Sequence, residues 1–258
     1  MTDAPTTDVV DHARAAERAR GSRDAWRTGR LEGLVAPQGN LALVETRWLP
    51  SGAEISDEDA LAGQPSTVTL TRLERANLDT GEPEYGIRLW DSASPAIAHF
   101  DTVSVFDFNP DWVIEAEYTP VASDRTIPFE HIRDNGGSRD LVVPGDITFT
   151  RDGRDYRLSA FDDGGVLLLV FGDPTNGRDA SDGGTYASGR FLFVERPSAG
   201  AAFDSAGPVI LDFNKAFVPP CGFSIQYNCP LAPAQNRFPD DVDAGERLVV
   251  FRDGYDLH

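Results

Sequence analysis

After Pro37 the chain is dominated by short stretches of period-two alternation. Val68 and Leu70 stand between Thr67, Thr69 and Thr71. Tyr85, Ile87 and Leu89 interleave with Gly86, Arg88 and Trp90, and Trp112, Ile114, Ala116 and Tyr118 with Glu115 and Glu117. Alternation of this kind sets one face of a strand on a core and the other in water. The clearest local feature is a meander over 146–171. A first strand at 146–150 leads through Asp152-Gly153 into a second at 156–161. Asp162-Asp-Gly-Gly165 then connects to Val166–Phe171. Asp-Gly supplies the positive φ angles that a tight hairpin needs. The last strand is apolar throughout, which predicts burial on both faces. Further strands are expected at 191–194, 209–211 and 248–251.

The opening of the chain reads differently. Residues 7–33 predict a helix, with Thr7 and Asp8 offering an N-cap and Ala13–Arg20 rich in good helix formers. Gly21-Ser22 is a point where it is expected to divide in two. Its apolar face is sparse (Val9, Ala13, Ala16, Trp26, Leu31), so it reads as a helix laid across a larger body and anchored by Trp26.

About a dozen strands at this spacing, without helix–strand alternation, predict an all-β fold. The expected architecture is an antiparallel β-barrel or barrel-like sandwich with the N-terminal helix packed outside. Residues 1–35 form the helical segment and 36–258 a single β-rich domain. The longest apolar run, Val166–Phe171, falls far short of the roughly 18 residues of a membrane span.

Charge narrows the picture further. Of 258 residues, 42 are acidic and 23 basic, for a net charge of −19. Such a surface repels nucleic acid phosphates and anionic membranes, so neither is an expected partner. Asp outnumbers Glu by 29 to 13, and Lys215 is the sole lysine. Short hydrated carboxylates with almost no ammonium groups suit concentrated salt, where self-repulsion is screened. A halophilic, cytoplasmic protein is expected. A GC-rich genome is the plainer source of the same bias. Residues 1–10 lack the basic-then-apolar order of a signal peptide.

Standard signatures of chemistry are absent. Lys215 is followed by Ala216, so no Walker loop forms. There is no Gly-x-Gly-x-x-Gly, His-Glu-x-x-His or Gly-x-Ser-x-Gly. No cofactor is expected. His12, His99, His131 and His258 are isolated in sequence and read as surface or core residues. The 172–184 loop offers Asp173, Asn176, Asp179 and Asp182 as hard oxygen ligands. Its spacing matches no EF-hand, and a solvated loop is expected there rather than a metal site.

Residues 211–246 have their own texture, gathering prolines, aromatics, both cysteines and the only lysine. Asp212-Phe-Asn-Lys-Ala-Phe217, Pro219-Pro-Cys-Gly-Phe223, Asn228-Cys-Pro-Leu231, Asn236-Arg-Phe-Pro239 and Ala244-Gly-Glu246 resemble the C-terminal signature of the domain of unknown function family 1684. Upstream, Phe171, Asp173, Thr175, Gly177, Thr185-Tyr186 and Gly189-Arg-Phe-Leu192 resemble its second signature. Pro144-Gly145, ahead of the strand with Phe149, also fits. The resemblance covers about 140–250, and the stretch between Gly177 and Thr185 is longer than in the pattern. It implies a β-rich bacterial or archaeal protein of uncharacterised activity.

Within these segments Asp212, Asn214, Lys215, Asn236 and Glu246, with Tyr186 and Arg190, are expected to converge at one mouth of the barrel. Arg190 and Lys215 would clamp an anion, Asp212 or Glu246 would serve as base, and the amides would orient. An ion pair between Lys215 and Asp212 or Glu246 is the structural alternative. Cys221 and Cys229 read as buried reduced thiols, a disulfide or redox pair, metal ligands, or a nucleophile. The leading functional expectation is binding of a polar or anionic small molecule at the barrel mouth. The alternatives are a hydrolase or lyase using Asp212 and Glu246 with Arg190, and a structural or interaction module without a ligand.

Overall fold

A computed structural model describes residues 6–78, 80–122, 124–196 and 203–257. Helix α1 (Thr6–Leu34) starts one residue before the expected position and runs unbroken through Gly21-Ser22. An interior glycine costs about 1 kcal/mol against alanine, too little to divide a helix fastened along its second half. Trp26 packs on Phe217, with ring centroids 6.4 Å apart. Arg27 donates to the Val103 carbonyl and Arg30 to the Val218 carbonyl, each at 2.9 Å.

Strands β1 (Leu43–Trp48), β2 (Val68–Ala76) and β3 (Pro83–Asp91) form a three-stranded antiparallel sheet in the order β1-β3-β2. Helix α2 (Asp57–Leu61), capped by Ser56, covers one face, where Ala60 meets Val68, Ile87 and Leu89. The other face carries Thr46, Trp48, Thr71, Arg75, Arg88 and Trp90 in register. Helix α3 (Pro95–His99) leads into β4 (Phe100–Val105).

The larger unit is a six-stranded antiparallel sheet. Its strands are β5 (Val113–Pro120), β8 (Gly145–Arg151), β9 (Arg154–Asp162), β10 (Leu167–Phe171), β11 (Arg190–Phe193) and β12 (Gly207–Asp212). They lie in the order β11-β10-β9-β8-β5-β12. The sheet curls until its ends meet. Glu195, just beyond β11, exchanges hydrogen bonds with Ile210 of β12 at 3.1 and 2.8 Å. The fold is therefore all-β and barrel-like, with the helix outside. The hairpin β6 (Thr126–Glu130) and β7 (Ser138–Val142) and the pair β4 with β13 (Glu246–Phe251) flank it.

The expected tight turn is present: Asp152 and Gly153 both have positive φ, at 52° and 74°. The barrel interior holds Ile147, Leu158, Leu169, Phe171, Leu192 and Leu211, closed by Phe213 and Phe238. Strand β10 is buried on both faces, because Leu168 and Val170 point outward into a second cluster with Phe129, Phe191, Phe217, Cys221 and Cys229. Gly145 is where β8 passes Tyr118, and a Cβ there would stand 2.3 Å from the phenol ring.

Candidate functional site

The sequence-predicted residues are each engaged by groups of the chain itself, with Arg190 also 3.4 Å from the Glu246 carbonyl. Arg190 opens β11 and is wholly buried. Its guanidinium donates to the carbonyls of Val242 (2.7 Å) and Ala244 and lies 3.3 Å from Asp173. Phe171 underlies it, its ring centroid 5.1 Å away. Burial pulls the guanidinium below its ordinary range, and Asp173 opposes that. Asp173 in turn accepts from the Thr175 hydroxyl and, at 2.8 Å, from the Val242 N–H. The loop residue proposed as a first oxygen ligand thus already has its carboxylate engaged.

Glu246 is equally hidden. It accepts from the Val218 N–H at 2.8 Å and pairs with Arg30 at 3.4 Å. Burial raises its pKa, partly offset by Arg30. Asp212 caps the turn that follows β12, accepting from the Asn214 N–H at 3.2 Å and from its amide at 3.0 Å. Burial raises its pKa as well. Lys215 reaches Glu195, the Ser22 hydroxyl at 2.9 Å and Asp212 at 3.7 Å.

Two asparagines pair with a peptide unit as backbone would. The Asn214 amide pairs with Asn109, accepting from its N–H at 2.8 Å and donating to its carbonyl at 2.9 Å. Asn236 does the same to Ser159, at 2.9 and 2.8 Å, and also donates to the Val170 carbonyl at 2.8 Å. A side-chain amide carries the donor and acceptor of a peptide, so it satisfies a ladder edge that no strand reaches. Tyr186 is half-buried, and burial pushes its ionisation up, with the neighbouring Cys221 acting in the same direction. Among the described residues no hydrogen bond or ion pair joins Arg190 or Glu246 to Asp212, Asn214 or Lys215. His131 is buried against the Phe129 carbonyl and His99 stacks on Tyr255; His258 lies outside the described residues.

A groove of about 360 Å³ opens elsewhere, between the three-stranded sheet and the signature loop. From the sheet come Thr46, Trp48 and Arg75, and from the opposite wall Arg133, Gln226 and Asn228. Trp48 lies over Gly86, where a Cβ would come within 2.9 Å of the indole. Arg75 stacks 3.9 Å above that indole and pairs with Glu84 at 2.7 Å. The Arg133 Nε donates to the Tyr227 carbonyl at 3.1 Å, while its backbone N–H meets Asn228 at 2.9 Å. Gln226 accepts from the Thr46 N–H at 2.9 Å, and the Thr46 hydroxyl has no partner among the described residues. Asp134 is held below the usual carboxylate range, because Arg139 and Asn228 outweigh the effect of burial. Arg88 lies behind the loop, 5.1 Å from the Tyr227 ring.

Two guanidinium groups, Arg75 and Arg133, thus line this groove against one carboxylate, Asp134, which Arg139 already pairs. Neither Arg88 nor Arg133 pairs with an acid among the described residues. Sequence reasoning missed this set, since its members are scattered from 46 to 228 without a motif. The one local trace is Arg88 beside Trp90 on an alternating strand. A larger cleft of about 530 Å³, lined by Glu54, Glu82, Glu84 and Tyr85, is acidic.

A family model described as "Protein of unknown function (DUF1684)" matches residues 98–247. The chain is also similar to an uncharacterized protein of Haloarcula marismortui whose solution NMR structure is known. Identity is 30%, covering 57% of this chain and 77% of that one, with a TM-score of 0.44. No curated protein matches the chain.

Proposed function

From the premise that this chain belongs to the DUF1684 family, which brings no activity with it, we propose that it binds a small polar anion. The site is the groove between β1–β3 and the 225–228 loop, and the ligand is a carboxylate or phosphate metabolite. One observation carries this reading: two guanidinium groups line the groove against a single carboxylate that is already paired, in a chain of net charge −19. The fork of Arg133 matches two oxygens of such an anion, and Arg75 and Thr46 line the same space. A volume of this size suits a metabolite. Arg133, Gln226 and Asn228 come from the family-matched part, whereas Thr46, Trp48 and Arg75 lie outside it, so ligand choice would be particular to this chain.

On this reading the predicted barrel-mouth set, Arg190, Asn214, Asn236, Asp212 and Glu246, acts as scaffold for the loop that forms the groove wall. The hydrolase or lyase alternative gains no support from geometry, because Asp212 and Glu246 both face groups of the protein itself. The acidic surface and the two free thiols support a cytoplasmic protein of a salt-rich habitat that binds neither nucleic acid nor membrane. Among the described residues no helix is long and apolar enough to cross a membrane.

The test is calorimetric titration with inorganic phosphate, citrate and benzoate, in the salt that best stabilises the protein. At least one should bind, at least tenfold more weakly in Arg133→Ala and Arg75→Gln, with Lys215→Gln unchanged. Binding indifferent to Arg133, or no binding of any probe, would overturn the proposal.

A further inference from the structure

We infer that Cys221 and Cys229 are a reactive dithiol that closes reversibly to a disulfide and thereby resets the wall of the groove. Both are free, buried thiols. The Cys221 N–H donates to the Cys229 sulfur at 3.2 Å, which sets the two residues side by side. Each end of the loop between them is pinned. Cys221 sits in the short turn Pro220–Gly222, while the Cys229 carbonyl accepts from the Ile132 N–H at 3.1 Å. The middle, from Ile225 to Asn228, is partly exposed. Closing the bond therefore moves a loop whose centre is held at Gln226, Tyr227 and Asn228 by Thr46 and Arg133.

The surroundings favour a thiolate over an inert core thiol. Tyr186 packs against the same cluster as the pair, and Arg133 and Arg88 bring positive charge near it. The neighbouring Cys229 leads in drawing the Cys221 thiol down, and Cys221 in turn drives Cys229 up. Cys221, in the turn beside Tyr186, is assigned as the attacking sulfur and Cys229 as the resolving one.

With hydrogen peroxide as oxidant the step balances. The Cys221 thiolate attacks one peroxide oxygen, the O–O bond breaks, and hydroxide leaves, giving a sulfenic acid. The Cys229 sulfur then attacks the Cys221 sulfur. An S–S bond forms, the S–O bond breaks, and the Cys229 proton leaves with the hydroxyl as water. Two thiols and one peroxide yield a disulfide and two waters, and a dithiol reductant reverses it by exchange.

The coupling to the groove rests on the anion-binding reading above. Asn228 precedes Cys229 and holds both the Arg133 N–H and Asp134, at 2.9 Å each. The Tyr227 carbonyl holds the Arg133 side chain. Drawing the loop ends together acts directly on these contacts.

The experiment treats the full chain with hydrogen peroxide, then unfolds it with an alkylating agent present. Wild type should lose the mass of two hydrogens and both alkylatable thiols, and recover them with dithiothreitol. Cys229→Ser should instead gain one oxygen on Cys221, trapped by dimedone, and Cys221→Ser should react at least tenfold more slowly. Retention of both thiols in wild type would overturn the dithiol, whatever the groove binds. A disulfide that forms while phosphate, citrate and benzoate titrations stay unchanged would overturn the coupling alone. Weaker binding of any of these probes in the oxidised form would support it.

Discussion

The guanidinium of Arg190 lies 3.3 Å from the carboxylate of Asp173, and neither side chain is exposed to solvent. Through these two residues the start of β11, the 173–185 loop and the approach to β13 become one unit. Asp173 also holds the Val242 N–H, and Arg190 holds the Val242 and Ala244 carbonyls. Removing one member of a buried pair leaves an uncompensated charge, at about 3–5 kcal/mol. Asp173→Asn is expected to lower unfolding free energy by that order in urea titrations. A loss below about 1 kcal/mol, the scale of an exposed pair, would show that the pair does not hold the loop.

Asn236 tests the peptide-mimic role. Asn236→Asp keeps the shape but turns both donors toward the Ser159 and Val170 carbonyls into acceptors. Facing lone pairs with a buried charge is expected to cost at least about 3 kcal/mol or to abolish folding. Soluble yield and melting temperature measure it, and near-wild-type stability would remove Asn236 from the scaffold.

Glu246 gives stability a pH signature of defined sign. Its folded pKa is raised above the ordinary 4.5, chiefly by burial, with Arg30 opposing. The folded state therefore binds more protons than the unfolded one between 4.5 and the raised value. Glu246 thus contributes a loss of stability as pH rises through that window, at most about 1.4 kcal/mol per pH unit. Asp212 shifts in the same direction. Glu246→Gln carries no such proton, so the difference between variant and wild type should favour the variant increasingly with pH above 4.5. Parallel pH profiles would refute the shift.

Charge makes the fourth prediction. With 42 acidic and 23 basic residues, self-repulsion is strongest in dilute buffer, where the Debye length is about 30 Å at 0.01 M salt against about 3 Å at 1 M. Melting temperature should rise from dilute buffer to molar KCl. An equal or lower value in KCl would reject the salt adaptation.

Legibility in the sequence followed how locally each feature was encoded. The meander at 146–171 was readable because alternation, Asp-Gly and an all-apolar run are properties of neighbouring residues. Strands β1, β4, β6 and β7 were missed. Pro128 interrupts β6, β7 reads Ser138-Arg-Asp-Leu-Val142, and β1 and β4 hold their places by pairing with β3 and β13. The polar signature residues were found, but as a converging mouth. Nothing in their spacing says whether a buried polar atom meets a ligand or the chain's own backbone.

By itself the sequence determined the all-β class, the outer helix, the burial of β10, the anionic surface and the family. The family follows from the resemblance of the ordered motif residues, and the rest from a period, a turn or a composition. The tertiary structure alone decided that Asn236 completes a strand edge and that Arg75 and Arg133 share a groove. Gln226 and Thr46 touch across 180 positions. Contacts at such separations arise from how sheet and loop pack, and no local pattern records them.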